Sequence, residues 1–447
     1  MDQARVLFGK IAALIEETNF SGHEMQYPPL FSWRRVSAKN IYVSWKKSLK
    51  KHPNYLGLYV HIPFCAKRCE YCRYYSVALD KKYSMDAYLC ALFKEMELLR
   101  PFFKRFAFST IYIGGGTPAL LGAAQLESLF STIYKNFNFL FKKQITFEGS
   151  VDFLDFDKLR VLKKYGVDRL TIGVQSLDQK VIDAVGRFQT NDLFEPTFKN
   201  ARKAGIKYIN IDVMAGLPGQ TLKSATKTLS RVLRLRPDMV HVNKFYPNAF
   251  CGFTKKGLRL DKKDLLLRDR ISDATKDMIL AKGYRPTEFD ADALGAGADN
   301  RQLSNAISAD SSFLGIGAGA VSHAAFASRY INEPDIQKYI DKIIKHKQLP
   351  IWRGILLTKK DEMIYFVTAS LRYGKVSKRK FFALFKRRIK NVFRREIALL
   401  ADIGKLTEYR DNIFLRLGGS DSYDEYAILS KVFYDKSLLR QCQKLMP

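Results

Sequence analysis

Three cysteines stand within eight residues of this 447-residue chain, in the stretch Cys65-Ala-Lys-Arg-Cys69-Glu-Tyr-Cys72. Their spacing, with three residues and then two between them, lets the thiols converge on one side of a short loop. Thiolates hold iron–sulfur clusters. A cubane has four irons, so three cysteines leave one iron free to bind a small molecule. An electron-transfer ferredoxin would place a fourth cysteine nearby, and this stretch has none.

Two other interpretations of the cysteines are open. The thiols can be incidental or buried side chains, or they can form a zinc site that lacks one ligand. Structural zinc sites usually close with four cysteine or histidine ligands, which disfavours the second interpretation. His61 is a candidate fourth ligand, but it falls inside a predicted strand, with Pro63 and Phe64 between it and Cys65.

Short apolar runs rich in β-branched residues alternate with longer helical patterns after residue 56. This alternation is typical of parallel sheets built from βαβ units, as a barrel or a doubly wound sheet. The predicted strands are 57–62, 109–113, 144–148, 169–174, 207–213 and 239–243. The predicted helices are 83–103, 124–137, 155–165, 178–186, 191–204 and 221–235.

Five features fall at the carboxyl ends of these strands. The cysteine loop follows the first strand and Gly114-Gly-Gly-Thr-Pro118 follows the second, while Glu148, Gln175 and Asp212 end the next three. Ligands of parallel α/β folds bind at this end of the strands. The five features therefore predict a single ligand site.

The residue types at this end suit a charged ligand. Glycines let backbone amides approach a ligand closely. Glu148 and Asp212 can accept hydrogen bonds from an ammonium or from ribose hydroxyls, and Arg187 can pair with a carboxylate. Taken singly, the two acids can also be solvated rim residues and Arg187 an ordinary surface arginine.

The motifs resemble those of the radical S-adenosylmethionine superfamily, and more closely its oxygen-independent coproporphyrinogen III oxidase-like branch. The resemblance covers about residues 56–420, in the same order and spacing. It rests on Tyr59-Val-His-Ile-Pro-Phe-Cys65, Gly114-Gly-Gly-Thr-Pro118, Arg169-Leu-Thr-Ile-Gly-Val-Gln-Ser176, Gly186-Arg187, Asn210-Ile-Asp-Val-Met-Ala-Gly-Leu-Pro-Gly-Gln-Thr221 and Phe313-Leu-Gly-Ile-Gly-Ala-Gly-Ala-Val-Ser322.

The resemblance implies an α/β fold, a radical S-adenosylmethionine partial (β/α)6 TIM-like barrel with a C-terminal helical winged-helix-like domain. We expect an N-terminal arm at 1–55 and the barrel core at 56–290. A glycine-rich, substrate-side extension would follow at 291–344, and the C-terminal domain would occupy 345–447.

The resemblance also implies the cofactors and the residues that bind them. Cys65, Cys69 and Cys72 would ligate a 4Fe–4S cluster, and the open iron would chelate S-adenosylmethionine. One-electron cleavage would release a 5′-deoxyadenosyl radical that abstracts hydrogen from the substrate. The residues implied for S-adenosylmethionine are Tyr59, Tyr71, Gly115, Gly116, Thr117, Glu148, Gln175, Arg187, Asp212 and Val321.

Within this family we expect an enzyme acting on a porphyrin- or haem-type substrate, by decarboxylation or methyl transfer. A haem-binding chaperone without oxidase activity is the alternative. The chain departs from the family pattern at two places. Glu148-Gly-Ser-Val151 stands where Glu-x-Asn-Pro is common, and Tyr284-Arg-Pro-Thr-Glu-Phe-Asp290 lacks the histidine of the decarboxylating enzymes. The substrate half therefore matches neither subgroup well.

The composition of the chain indicates which partners and which cellular compartment to expect. The formal net charge is +31, but lysine and arginine are spread over the whole length, so nucleic acid is not the expected partner. The expected partners are a tetrapyrrole and a low-potential electron donor, flavodoxin or ferredoxin. Only six cysteines, no signal peptide and no apolar stretch near ~20 residues indicate a cytoplasmic protein without a membrane span.

The two ends of the chain give weaker patterns. Residues 1–20 have the apolar spacing of a short amphipathic helix, and 27–55 are expected to be irregular or a linker. Residues 405–417 predict a hairpin with Asp411-Asn412 at its turn. The basic stretch 375–395, with interleaved aromatic residues, predicts an amphipathic helix able to bind nucleic acid or a membrane. We favour instead a C-terminal domain that covers the substrate site.

Overall fold

The computed structural model describes residues 27–51, 55–80, 82–247, 251–287, 291–295, 297–306, 310–371, 374–416 and 431–434. The helix predicted within residues 1–20 lies outside these ranges. The strands are β1 Leu56–Ile62, β2 Phe64–Cys65, β3 Val77–Ala78, β4 Ala107–Gly115, β5 Asn138–Ser150, β6 Arg169–Gln175, β7 Tyr208–Ala215, β8 Met239–Lys244, β9 Arg285–Pro286, β10 Ala291–Ala293, β11 Ser312–Ile316, β12 Val321–Ala324, β13 Ser328–Asn332, β14 Ile351–Leu356, β15 Lys375–Ser377, β16 Leu406–Tyr409 and β17 Asn412–Leu415.

The α-helices are α1 Ala38–Lys51, α2 Met85–Phe103, α3 Ala123–Asn136, α4 Phe156–Lys164, α5 Gln179–Ala184, α6 Phe194–Lys203, α7 Leu222–Arg234, α8 Gly252–Lys255, α9 Lys262–Ala281, α10 Arg301–Ala306, α11 Ile336–Ile344, α12 Lys359–Leu371, α13 Lys378–Phe385, α14 Ile389–Val392 and α15 Arg394–Asp402. None of the helices in the described part of the chain is long and apolar enough to cross a membrane.

Six parallel strands, β1, β4, β5, β6, β7 and β8, lie side by side in chain order. Helices α2 to α7 connect them, so the predicted alternation of strands and helices is confirmed. The predicted fold class is confirmed with it. Each parallel pair needs a crossover connection, and a helix is the usual one.

The two faces of these strands differ in chemistry. Alternate residues such as Leu58, Val60 and Ile62 of β1 are fully buried in the main hydrophobic cluster, together with the inward sides of the helices. The intervening residues form a polar row on the other face, which includes Tyr59 and Glu148. Parallel strands covered on both faces are normally apolar on both. A polar inner face therefore points to a binding site.

The sheet continues beyond the six strands at both edges. At one edge β11 pairs parallel with β1, and β12, β13 and β14 follow as antiparallel strands. At the other edge β10 and β9 extend from β8. The result is one 12-stranded sheet that includes the glycine-rich segment. The division into domains made from the sequence stays a prediction.

A buried carboxylate holds the glycine-rich segment after β11 against the core. Glu95 of α2 accepts hydrogen bonds from the Gly317 N–H at 2.8 Å, the Tyr339 hydroxyl at 2.6 Å and the Asn332 amide at 2.7 Å. We call these four residues the brace. Gly317 has φ +107°, and a Cβ there would lie 2.5 Å from the carbonyl oxygen of His61 in β1. Only glycine allows this approach.

The expectation of an irregular segment at 27–55 is wrong for its second half. Helix α1 buries Ile41, Trp45 and Leu49 in the main cluster, and the Ser44 hydroxyl lies 2.6 Å from that of Ser328. These apolar residues recur every four positions, which is the signal of a helix face that the sequence already contains.

The C-terminal domain corrects two other predictions. Residues 375–395 form strand β15, helices α13 and α14 and the start of α15 instead of one helix, because Lys386 at φ 55° ends α13 in the left-handed region. The predicted hairpin is present, but its turn is Arg410-Asp411, since Asn412 pairs with Tyr409 inside the ladder.

Candidate active site

The cysteine loop and the glycine loop are joined by main-chain hydrogen bonds. The N–H of Gly116 donates to the carbonyl oxygen of Ile62 at 2.8 Å, and the N–H of Thr117 donates to that of Phe64 at 2.7 Å. These two amides therefore join the glycine loop to the cysteine loop. The Cys65 carbonyl accepts from the N–H of Leu79 at 2.8 Å, which closes the far side of the loop.

The glycines at this junction are needed for close approach. A Cβ at Gly116 would lie 2.5 Å from the Phe64 carbonyl oxygen and 3.0 Å from the Cys65 sulfur. At Gly115, where φ is +129°, a Cβ would lie 2.6 Å from the Ile62 carbonyl oxygen. A side chain at either position would push the glycine loop away from the thiols.

The three thiols are free and carry hydrogen-bond donors beside them. The Thr117 hydroxyl donates to the Cys65 sulfur at 3.5 Å, and Arg187 Nη1 lies 3.9 Å from the Cys69 sulfur. Burial raises the pKa of the Cys72 thiol to about 11, so without metal it is protonated. Binding to iron removes that proton.

Among the described residues, no three histidine, cysteine or acidic side chains converge closely enough to hold a single metal ion. A cubane does not require such convergence, because each thiolate binds a different iron. Three free thiols on one loop, with donors for their sulfurs, therefore fit a 4Fe–4S cluster.

Arg187 and Tyr71 lie next to Cys69, and Gln175 joins Arg187 at Gly173. Arg187 Nη1 donates to the Tyr71 hydroxyl at 3.0 Å, and its Nη2 donates to the Gly173 carbonyl. Gln175 has φ 65° at a bulge in β6, and its amide lies beside Gly173 as well. Strained backbone at a residue other than glycine is typical of functional sites.

Glu148 lies at the centre of the polar row. It accepts from the Tyr112 hydroxyl and from the N–H of Gly115. The pKa of Glu148 is raised to about 7, chiefly by burial and in part by the charge of Asp212, while the two hydrogen bonds act in the opposite direction. The ring of Tyr59 lies 5.9 Å from that of Tyr112, so Tyr59 continues the row on β1.

His61 is held in one tautomer by its two partners. Its Nε2 lies 3.2 Å from the carbonyl oxygen of Tyr75, so that nitrogen carries the proton and donates. Its Nδ1 then accepts from the Tyr59 hydroxyl at 2.7 Å. Burial lowers the pKa of His61 to about 4. A neutral, buried imidazole therefore orients Tyr59 toward the row.

Asp212 completes the row on β7. Its Oδ1 accepts from the Asn210 amide at 2.7 Å and lies 3.6 Å from His241 Nδ1. Arg169 on β6 is buried between β5 and β7, where its charge interacts with Glu148 and Asp212 and lowers the pKa of Glu148. The row therefore contains two carboxylates that share one cation.

Sequence reasoning missed Tyr112, Arg169, Asn210 and His241 as members of the row. A signal was available for two of them, because side chains two residues apart on a strand share a face. Tyr112 precedes Gly114 by two positions, and Asn210 precedes Asp212 by two.

Val321 lies on a neighbouring strand. It begins β12, and its carbonyl oxygen would clash with a Cβ built on Gly315. Gly315 in turn pairs with Tyr59 in the register of β11 and β1. The structure therefore places Val321 two strands from the Tyr59 position.

Residues 59–232 match the model of the Radical SAM superfamily. Members of this class use a 4Fe–4S cluster and S-adenosylmethionine. The oxygen-independent coproporphyrinogen III oxidases of Salmonella typhimurium and Escherichia coli are each 30% identical to this chain, over 366 and 361 residues, with 78% of both chains covered in each case. The heme chaperone HemW of Bacillus subtilis is 28% identical over 368 residues, covering 80% of this chain and 94% of the relative.

The solved structure of the coproporphyrinogen III oxidase HemN from Escherichia coli is also similar. It superposes with a TM-score of 0.78 at 25% identity, covering 94% of this chain and 98% of that one. The chain belongs to the oxygen-independent coproporphyrinogen III oxidase family of radical S-adenosylmethionine enzymes.

Proposed function

We propose that this enzyme acts on a tetrapyrrole of the porphyrinogen or haem type, with its cluster on Cys65, Cys69 and Cys72. The observation that carries the proposal is the polar row inside the barrel, which begins beside the cysteine loop. The names and coverage of the relatives support the choice of substrate class. Flavodoxin or ferredoxin as electron donor and a cytoplasmic location are parts of the same proposal.

When bound, the cluster and S-adenosylmethionine supply one-electron cleavage of a carbon–sulfur bond. The residues of the row bind and orient the cofactor. Glu148 would accept a hydrogen bond from the ligand ammonium, which would lower the raised pKa of this carboxyl and favour its ionised form. Arg187 would pair with the ligand carboxylate, and Asp212 would accept from the ribose hydroxyls. The other proposed contacts are Tyr59, Tyr71, Gly115, Gly116, Thr117, Gln175 and Val321.

The proposed reaction is hydrogen abstraction from the substrate followed by decarboxylation, or methyl transfer. The test is anaerobic reconstitution of the full chain with iron and sulfide, followed by incubation with dithionite, S-adenosylmethionine and coproporphyrinogen III. We expect 5′-deoxyadenosine and a porphyrinogen of altered mass, both measured by mass spectrometry. A reconstituted protein with a complete cluster that forms neither product would refute the proposal.

A haem chaperone is the second candidate function. The chain covers 94% of the heme chaperone HemW of Bacillus subtilis but 78% of the oxidases. The segment 284–290 also lacks the histidine expected of the decarboxylating enzymes. This candidate predicts stoichiometric haem binding with a shifted Soret band, and transfer of haem to an apo-protein. Unchanged haem absorbance on mixing would exclude it.

A further inference from the structure

The C-terminal domain has the element order of a winged helix. Helix α12 and strand β15 are followed by helices α13, α14 and α15 and then by the hairpin β16–β17. In its three-stranded sheet the last strand, β17, lies between β15 and β16. This order makes α13 and the α14–α15 unit the two halves of a helix-turn-helix. In such units the second half lies in a groove of duplex DNA.

Four apolar residues of this unit are used inside the domain, while Phe382 of α13 is 51% exposed. Phe381, Phe385, Ile389 and Phe393 are buried in the hydrophobic cluster of the domain. The ring of Phe385 also contacts that of Phe326, which follows β12, with centroids 5.6 Å apart. The four buried side chains are therefore not available to insert into a membrane, and Phe382 is the one large apolar side chain that residues 375–395 expose.

Basic residues are concentrated on the outside of the same unit. Between residues 375 and 395 the chain has ten lysines and arginines and no acid. Nine of the ten are exposed, and the exception is Lys378. Within the described ranges, only Lys378 and Lys390 of this group form ion pairs, both with Glu408 at 3.3 and 2.8 Å.

The exposed bases fall where a helix-turn-helix meets a nucleic acid. Lys386, Arg387 and Arg388 form the turn between α13 and α14, and Arg394 and Arg395 begin α15. All five side chains are exposed. Segregation of positive charge on one face is the footprint of phosphate-backbone binding.

We propose that this basic helix-turn-helix surface binds the phosphate backbone of double-stranded nucleic acid. The surface is defined by the ten basic residues between 375 and 395. The contacts are to phosphates, so binding is largely independent of sequence. The domain docks on the core through the buried pair His323–Glu362 and through Phe385, which leaves the turn and the start of α15 open.

The test measures binding of the full chain to a fluorescent duplex DNA of mixed sequence, by anisotropy over a series of salt concentrations. We expect affinity that falls steeply with salt, with a log–log slope of about 0.9 for each phosphate contacted. The double variant Arg387→Glu/Arg388→Glu should weaken binding at least about tenfold and reduce the slope by about 2.

The matched control is Lys262→Glu/Lys263→Glu, which makes the same charge change at two exposed residues that begin α9. This control variant should bind the duplex DNA with an affinity within about twofold of that of the unaltered chain. Equal weakening by both variants would show that only net charge matters, and would overturn the proposal. Circular dichroism of both variants establishes that they are folded.

Two further probes separate other partners. Duplex RNA of the same sequence distinguishes the two sources of phosphate backbone, and binding to either duplex supports the proposal. Polyglutamate and vesicles containing anionic lipid represent an acidic protein and a membrane. Tighter binding to either of these than to the duplexes, lost in Arg387→Glu/Arg388→Glu, would overturn the assignment to nucleic acid.

Discussion

Two carboxylates of this protein have the same immediate chemistry but lie in different surroundings. Glu148 accepts hydrogen bonds from the hydroxyl of Tyr112 and from a glycine N–H, and Glu95 accepts them from the hydroxyl of Tyr339 and from another glycine N–H. Burial raises the pKa of each to about 7.

The two carboxylates differ in the residues that surround them. Glu148 stands on the polar inner face near a second carboxylate, Asp212, and keeps part of its surface exposed. Glu95 is 1% exposed, and its remaining acceptor capacity is taken up by Asn332. The same pair of donors therefore leaves a partly exposed carboxylate on the inner face of the barrel, and joins distant elements in the brace. Substitutions should accordingly affect function at one place and folding at the other.

The largest effect is expected at the cysteine loop. Cys69→Ala removes one of three proposed iron ligands, so the reconstituted protein should lose its cluster and all cleavage of S-adenosylmethionine. The apo-protein should keep its stability within about 0.5 kcal/mol, because the loop lies outside the hydrophobic core. Iron content and visible absorbance measure the loss. Cys90→Ala, at an exposed free cysteine of α2, is the control and should retain iron.

A substitution in the brace should instead lower the stability of the fold. Glu95→Ala leaves three buried donors without an acceptor and opens a cavity, so we expect the free energy of unfolding to fall by about 3 kcal/mol or more. Urea unfolding of the apo-protein measures this. Glu97→Ala, two residues away at an exposed ion pair with Lys94, should cost less than about 0.5 kcal/mol. Similar losses in the two variants would contradict the role of the brace.

A smaller effect is expected from Glu148→Gln. The neutral amide should weaken binding of S-adenosylmethionine by about tenfold, since it loses the attraction to the ligand ammonium. Cluster content should not change. Equilibrium binding to the reconstituted protein provides the measurement, with Glu127→Gln, an exposed carboxylate paired with Lys164, as the control. If Glu148→Gln bound S-adenosylmethionine with unaltered affinity, the ligand ammonium would not interact with Glu148.

The smallest effect concerns pH. A carboxyl with a higher pKa in the folded than in the unfolded chain takes up a proton on folding. Its contribution to stability is therefore fully present below the ordinary value of 4.5 and is lost as the pH rises through about 7. Apo-protein stability should decline over this range by about 1 kcal/mol or more for each group.

Glu95→Gln and Glu148→Gln should each remove part of this decline when urea midpoints are compared across the range. If only one of them alters the pH dependence, the two carboxylates do not share the same protonation behaviour, in spite of their matched hydrogen bonds.

The strands of the barrel could be predicted because each is indicated by residues that are close together in the sequence. Each core strand is a short apolar, β-branched run, and the predicted features stand at the same end of five of the six. The strands are longer than predicted, so Glu148 and Asp212 lie inside β5 and β7 and not at their last residues. Alternation along a strand would also have found Tyr112 and Asn210.

The brace could not be predicted in the same way. Glu95 and Gly317 are 222 residues apart in the chain, and nothing near either residue indicates the other. The basic stretch 375–395 shows a second reason why the sequence pattern did not predict the structure. Its aromatic spacing fits one amphipathic helix, but the packing of Phe381, Phe385 and Phe393 into one core requires a chain that turns at Lys386.

The position of β1 between β4 and β11 has a consequence for the order of biosynthesis. The ribosome makes the cysteine loop early, but the second neighbour of its strand is made only after residue 311, and Tyr339 of the brace later still. A nascent chain that ends before these residues has β1 at an open sheet edge, a surface prone to wrong pairing. Loading of iron should therefore follow release of the nearly complete chain, and truncated chains should bind iron poorly despite having all three cysteines.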